Sequence, residues 1–207
     1  AVLAGLIIGS IYALGAVGLS LIFGILRFAH FAHGDIMTLG AFLTLALAGL
    51  LSLAGVQAPV PLALLMLLPA MALTAAIAIC LDRVFYKPLR DRGARPIIIV
   101  IASVGVTLML QGLIRIFAGV GTRNMFLAHP KDIYRIPFPG SNRGLTLTEP
   151  QAVLIVFTII AVIALHFFLT RSRLGKAMRA VSDNPDLARV SGIDINHVVR
   201  ATWIIGG

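Results

Sequence analysis

Two histidines and an aspartate lie close together near the start of the chain, in a polar stretch between two apolar runs. His30, His33 and Asp35 carry side chains that can bind a metal ion or relay a proton. No third ligand follows at the spacing that zinc sites use, so no metal site is predicted. Gly34 permits a sharp turn or a break in a helix, and polar side chains can satisfy the backbone groups that a break frees. We therefore expect residues 27–35 to have a structural role.

A second group of polar side chains interrupts an apolar run in the middle of the chain. Ser103, Thr107, Gln111 and Arg115 follow one another at intervals of four residues, so they share one face of a helix. Such a face is costly to expose to lipid. It either makes hydrogen bonds between helices or lines a hydrated path. In the second case Ser103, Thr107 and Gln111, together with His33, are the candidate lining.

The most specific local signal lies in the basic stretch 170–198. Asn184 can cap a new helix, with Asp183 as the other candidate, and Pro185 suits the first helical position. Asp186 complements the positive end of the helix dipole. A short capped helix of this kind is typical of a docking element. Its candidate residues are Asp183, Asn184, Pro185, Asp186, Leu187, Ala188, Arg189 and Gly192, the last of which can close the helix.

The composition decides which elements must position these residues. The 207 residues are 59% hydrophobic and 12% charged, and the mean hydropathy is +1.00. A soluble fold of this size has too little interior for so many apolar side chains, and a disordered chain would be poor in them. The net charge of +9 comes from residues in the connections between apolar runs, so it does not indicate nucleic-acid binding. The chain is predicted to be a multi-pass membrane protein.

The apolar runs predict an all-α, polytopic bundle of transmembrane helices. A hydrocarbon core of roughly 30 Å requires about 20 apolar residues per helix. A sixth run starts near Val198, and we expect the parent protein to continue beyond Gly207. The five full spans are predicted at residues 1–26, 36–56, 59–81, 97–119 and 151–169.

The distribution of lysine and arginine predicts the orientation of this bundle. The connections 27–35, 82–96 and 170–200 fall on one side and carry most of the basic residues. The connections 57–58 and 120–150 fall on the other side and carry fewer. The positive-inside rule then places the N-terminus of the chain outside. Residues 27–35 are either a cytoplasmic turn or a break inside the membrane.

The first apolar run also contains a pattern for close helix packing. Gly5 and Gly9 form a GxxxG pair on one face of the predicted helix. Small residues let two helix backbones approach closely in a membrane. We expect this face to pack against another helix, either in the same chain or in a partner.

Four parts of the chain carry motifs that belong together: Gly9–Leu14 with Leu21–Gly24, Phe31–Asp35, Tyr86–Arg90 with Ile101–Gln111, and Gly175–Asp194. In combination, and over nearly the whole chain, these motifs resemble the LivH-type permeases of ABC importers for branched-chain amino acids. One position differs, since His30 stands where that family usually has Asn before Phe-Ala-His-Gly.

The resemblance implies a permease subunit of a bacterial-type inner membrane, which is not itself an enzyme. Separate ATP-binding subunits would bind ATP and receive residues 183–191 as a coupling helix within a cytoplasmic coupling segment, 170–198. A second homologous permease subunit would complete the membrane path. A periplasmic solute-binding protein would deliver substrate on the side of the periplasmic loop 120–150. This chain has no P-loop motif, so we expect it to bind no cofactor itself. The ligand spacing and the position of the charges, discussed above, give no expectation of a bound metal or nucleic acid.

Three other functions were compared with this one. A permease for urea or short amides, in the same broad family, would suit the polar face of Ser103, Thr107 and Gln111 equally well. An ion-coupled secondary transporter would require ionisable groups near the middle of the spans, and no Asp, Glu, Lys or Arg lies there. A membrane-embedded enzyme would require a nucleophile with a base or a metal, which only the cluster around His33 approaches.

Overall fold

The structure, a computed structural model, describes residues 2–56, 62–121, 133–136 and 145–206. Five helices in this part of the chain are long and apolar enough to cross a membrane, which confirms the predicted all-α polytopic bundle. The helices are α1 (Val2–Leu26), α2 (His33–Leu53), α3 (Leu62–Leu65), α4 (Leu67–Leu81), α5 (Lys87–Asp91), α6 (Pro96–Ala118), α7 (Glu149–Arg171), α8 (Arg173–Asp183), α9 (Pro185–Val190) and α10 (Ile195–Gly206).

The connection between α1 and α2 turns back into the bundle. A Cβ atom added to Gly18 would lie 2.7 Å from Cε1 of His33, so the first residue of α2 sits beside Gly18 rather than beside the end of α1. The eight residues from Gly18 to Leu26 correspond to about 12 Å of helix. Residues 27–32 therefore run back along α1, and the structure has a break inside the bundle rather than a surface turn.

The helix of the third span extends beyond its predicted end. Helix α4 continues through a π-helical turn, Asp82–Tyr86, into α5, so that helical structure runs from Leu67 to Asp91. Most of the predicted connection 82–96 is therefore helical, and its polar character is retained in its charged side chains. Within it, Arg90 donates to both carboxylate oxygens of Asp82 at 2.7 and 3.0 Å. Residues 57–61, which include the predicted connection 57–58, lie outside the described residues.

Part of the long connection between α6 and α7 forms two short strands. Strands β1 (Ile133–Ile136) and β2 (Leu145–Thr148) pair antiparallel, with Ile133 opposite Thr148. The ordered excursion predicted for 120–150 is visible in these strands, and its residues 122–132 and 137–144 lie outside the described residues. Helix α7 begins directly after β2, where the backbone N–H of Thr148 donates to Gln151 Oε1 at 3.1 Å.

Helices α8, α9 and α10 cover one end of the bundle, which we call the α9 end. Ile25 of α1 is buried there with Met178 and Val181 of α8. Helix α10 starts after Asp194, whose Oδ1 accepts from the backbone N–H of Asn196 at 2.9 Å. It then runs beside α1, and it contains the predicted sixth apolar run.

The GxxxG pair has no partner helix in the described chain. Gly5 and Gly9 are exposed, and a Cβ atom added to either would meet nothing within 4 Å. This face was expected to pack against a helix of the same chain or of a partner. The described residues supply no helix that packs against it. Helix α1 approaches another helix closely in its C-terminal half, where a Cβ on Gly18 would lie 3.0 Å from the carbonyl oxygen of Gly206 in α10.

Substitution of Gly18 should destabilise the bundle. The added methyl group of Gly18→Ala would collide with the His33 ring and the Gly206 carbonyl, so α1, α2 and α10 would have to separate. Overpacking of this kind costs about 1–3 kcal/mol. Thermal unfolding of the purified protein in one detergent, followed by circular dichroism, measures the loss. Gly9→Ala is the matched control, and an equal fall in both variants would contradict the assigned packing.

Candidate functional site

The candidate site is built around residues 27–32, which we call the break segment. Along it, buried and exposed side chains alternate: Phe28, His30 and Ala32 are buried, whereas Ala29 and Phe31 are exposed. The segment ends in a turn, because the N–H of His33 donates to the carbonyl of His30 at 3.3 Å. The sequence alone does not reveal this burial, since a six-residue connection is equally compatible with a surface turn.

The backbone of the break segment is hydrogen-bonded to α6. The hydroxyl of Ser103 accepts from the N–H of Phe31 at 3.2 Å and donates to the carbonyl of Val100 at 2.7 Å. Ser103 is completely buried. Non-helical backbone at membrane depth persists only where protein groups or water satisfy it. Ser103 therefore anchors the break segment, which is the hydrogen-bonding alternative for this residue.

An aromatic cluster holds the middle of the segment. Nε2 of His30 lies 2.9 Å from the hydroxyl oxygen of Tyr86. The ring of Tyr86 stacks on Trp203 with centroids 5.5 Å apart, and Trp203 meets the edge of His30 at 5.0 Å. Phe28 packs against Tyr86 at 5.4 Å. The cluster joins the break segment to the turn after α4 and to α10.

Tyr86 and Trp203 were not predicted as site residues. Tyr86 lies in a polar stretch that was taken for a connection, and its inward direction depends on the π-helical turn Asp82–Tyr86. Trp203 is the single tryptophan of the chain and lies in an apolar run, where it is indistinguishable from an ordinary core residue. Its uniqueness was the only available signal.

Unpaired polar atoms collect around this cluster. Within the described residues, the buried side-chain nitrogen and oxygen atoms without a hydrogen-bond partner are Nδ1 of His30, Nδ1 of His33, Oγ1 of Thr107 and Nε1 of Trp203. Buried polar groups are normally paired, so each such atom requires an explanation. His30 contacts both His33 and Trp203, and Thr107 lies one turn beyond Ser103 on α6. Three of the four unpaired atoms thus belong to rings in or beside the break segment.

The structure brings the predicted path residues together, although they are not equivalent. The side-chain amide of Gln111 donates to Oδ1 of Asp35 at 3.1 Å, which links α6 to the first turn of α2. Ser103 is engaged by the break segment, whereas Thr107 has a free hydroxyl. Hydrogen bonding between elements is therefore observed for Ser103 and Gln111. A lining role for this set stays a prediction.

The histidines around the break segment do not form a metal site. Among the described residues, no group of three or more His, Cys, Asp or Glu side chains is arranged to hold a metal ion.

The short capped helix predicted over residues 183–191 is present as α9, and its docking role stays a prediction. Oδ1 of Asn184 accepts from the backbone N–H groups of Asp186 and Leu187 at 3.0 and 3.1 Å, so Asn184 rather than Asp183 is the cap. Gly192, with a φ of +84°, ends the turn after the helix. On α9, Ala188 is buried, Leu187 is 65% exposed and Val190 is 87% exposed. A short helix outside the spans thus presents two apolar side chains.

Comparisons with known proteins agree with one another. A family model described as "Branched-chain amino acid transport system / permease component" matches residues 1–207. The chain is 30% identical over 203 residues to the high-affinity branched-chain amino acid transport system permease protein BraD of Pseudomonas aeruginosa, covering 98% of this chain. It is 28% identical over 202 residues to LivH of Escherichia coli strain K12.

The match extends to a more distant relative, the probable branched-chain amino acid transport permease protein LivH of Methanocaldococcus jannaschii, at 27% identity over 205 residues. The chain spans 64% of the length of the BraD and LivH proteins from the two bacterial species named above, and 60% of the third relative. No solved structure matches the chain.

Removal of the Ser103 hydroxyl should destabilise the break segment. Ser103→Ala leaves the N–H of Phe31 without its acceptor, and an unsatisfied buried donor costs about 1–3 kcal/mol. Thermal unfolding in detergent measures this effect. Ser10→Ala is the matched control, because the buried Ser10 hydroxyl bonds only the Leu6 carbonyl of its own helix. Equal stability of the two variants would mean that Ser103 does not anchor the segment.

Proposed function

Since the chain belongs to the family of branched-chain amino acid transport system permease components, we propose that it forms the membrane path of an ABC importer that moves branched-chain amino acids into the cytoplasm. The substrate class is inferred from the names of the BraD and LivH relatives. The chain covers 64% of those relatives, so the proposal concerns the full-length protein.

The observation that carries the proposal is helix α9. It lies outside the membrane spans, is capped at both ends, and exposes Leu187 and Val190 at the end of the bundle. A soluble partner that buries these side chains would gain hydrophobic free energy, and no packing role within the chain accounts for them. An ATP-binding subunit of the importer is the partner that the family membership supports. That subunit would bind the ATP.

The basic residues support the orientation. Arg171, Arg173, Lys176 and Arg179 lie at the end of α7 and on α8, beside α9. The positive-inside rule makes this end cytoplasmic and places the N-terminus of α1 outside, in the inner membrane. The loop 120–150 would then face a periplasmic solute-binding protein. A second homologous permease subunit would cover faces of α1 and α7 that the described chain leaves exposed.

Transport would proceed by a two-state movement. Closure of the ATP-binding subunits displaces α9, and α8 transmits the displacement to the core around α1. The break segment lies at the inner part of the bundle, where Thr107 and His33 carry free polar atoms. A zwitterionic amino acid would exchange hydrogen bonds with such atoms while its side chain contacts apolar walls.

The test is reconstitution of the full-length protein with its ATP-binding, second permease and solute-binding partners in proteoliposomes. We expect ATP-dependent uptake of radiolabelled leucine. In the double variant Leu187→Ser with Val190→Ser, loss of two exposed apolar contacts should reduce uptake about tenfold or more, because interface energy concentrates in few residues. Co-purification of the ATP-binding subunit should fall in parallel.

Leu53→Ser is the matched control, since Leu53 is 87% exposed at the end of α2 and lies outside both α9 and the loop 120–150. Normal uptake by the double variant would overturn the role of α9. Uptake of urea or acetamide in place of leucine would overturn the substrate and leave the permease role. Uptake that requires a proton gradient and no ATP would overturn the importer itself.

A further inference from the structure

Arg27 has an unusual backbone conformation. It follows the last residue of α1, its N–H donates to the carbonyl of Phe23 at 3.0 Å, and its φ is +58°. A residue that ends a helix in this left-handed conformation is usually glycine, because a side chain there is strained. Among the described residues, Arg27 is the one non-glycine with a positive φ. An arginine thus occupies a position where glycine would adopt the same backbone conformation without strain.

The guanidinium of Arg27 reaches the end of another helix. It donates to the carbonyl oxygen of Ser182 and lies 3.4 Å from that of Asp183. These carbonyls belong to the last turn of α8 and have no partner within that helix. A positive charge also complements the negative end of the α8 dipole. The next residue, Asn184, is the cap of α9, so Arg27 holds the junction between α8 and α9.

The backbone of Arg27 belongs to the break segment. One residue further on, Phe28 is buried against Tyr86, and His30 follows in the same cluster. Arg27 is therefore the first residue of the break segment, and its side chain makes charge-assisted hydrogen bonds to the α8–α9 junction. A displacement of α9 that keeps these bonds must pull on the segment.

Stability alone does not explain the arginine. The bonds of Arg27 to Ser182 and Asp183 are solvent-exposed, and exposed polar contacts of a charged side chain add little stability. The strained backbone works against that small gain. Arg27 therefore contributes little stability, and its backbone conformation is strained. Its position is better explained by the connection that it makes between the break segment and the α8–α9 junction.

We propose that Arg27 is a positioning residue that transmits the movement of α9 to the break segment. This inference rests on the proposed function. Loss of the guanidinium should leave the assembled complex able to hydrolyse ATP, while less substrate crosses for each ATP consumed. The predicted defect is thus one of coupling between the ATP-binding subunits and the path.

The variant Arg27→Gly separates coupling from folding, because glycine adopts a φ of +58° without strain. In proteoliposomes of the full complex, the ratio of leucine taken up to ATP hydrolysed should fall about fivefold or more. Unfolding temperature and complex assembly should be unchanged. Arg27→Lys, which keeps one positive charge and three N–H donors, should restore part of the ratio.

A fluorescent label on the break segment distinguishes transmission of movement by Arg27 from a purely structural role of this residue. Ala29 is exposed in the break segment, so Ala29→Cys can be labelled in a background where the exposed Cys80 is replaced by Ser. Addition of ATP should change the label's emission in the otherwise unmodified complex and leave it unchanged in Arg27→Gly. Arg200→Gln, which removes an exposed charge on α10, is the matched control and should respond normally.

The outcomes are distinct. If the unmodified complex takes up no leucine with ATP, the proposed function is wrong. If it does, and Arg27→Gly keeps the full uptake ratio and the label response, Arg27 does not transmit the movement. A fall in unfolding temperature together with loss of assembly in Arg27→Gly would also overturn the inference, since Arg27 would then be structural.

Discussion

A membrane bundle tolerates non-helical backbone only where other protein groups replace water as hydrogen-bond partners. The break segment imposes this requirement, because it returns from the end of α1 to the depth of Gly18 before α2 begins. Much of the inner half of the bundle is arranged to meet it. Ser103 accepts a backbone N–H, and Tyr86 pairs with the histidine at the middle of the segment. The unusual local features near this end are consequences of that one requirement.

The close packing of helices follows from the same constraint. The His33 ring occupies the space beside Gly18, so a side chain at that position is excluded, and α10 approaches α1 at the same level through Gly206. The π-helical turn after α4 has a similar effect, because it accompanies the inward placement of Tyr86 against Trp203. These contacts leave a few polar atoms unpaired within a region that is otherwise fully packed.

The short helix α9 and the break segment lie near one end of the same bundle. Helix α9 exposes apolar side chains, whereas the break segment carries the buried His30. Arg27 is the first residue of the break segment, and its side chain reaches the carbonyls at the end of α8, directly before the cap of α9. Under the proposed function, such a connection would couple a partner subunit that binds ATP to the path in this chain. The exposed face of Gly5 and Gly9 is available to a further helix, which the described chain does not supply.

Local sequence determined the membrane class, the positions of four of the five spans to within a few residues, and the capped helix α9. Each of these depends on the composition or the caps of a single segment, which neighbours do not change. Tertiary structure alone decided that residues 27–32 break inside the bundle and that the helix of the third span continues to Asp91. Both outcomes depend on partners remote in sequence or across a turn, such as Ser103 for Phe31 and Arg90 for Asp82. A buried polar group is acceptable only when its partner is in place, so the sequence of one segment cannot reveal that it is buried.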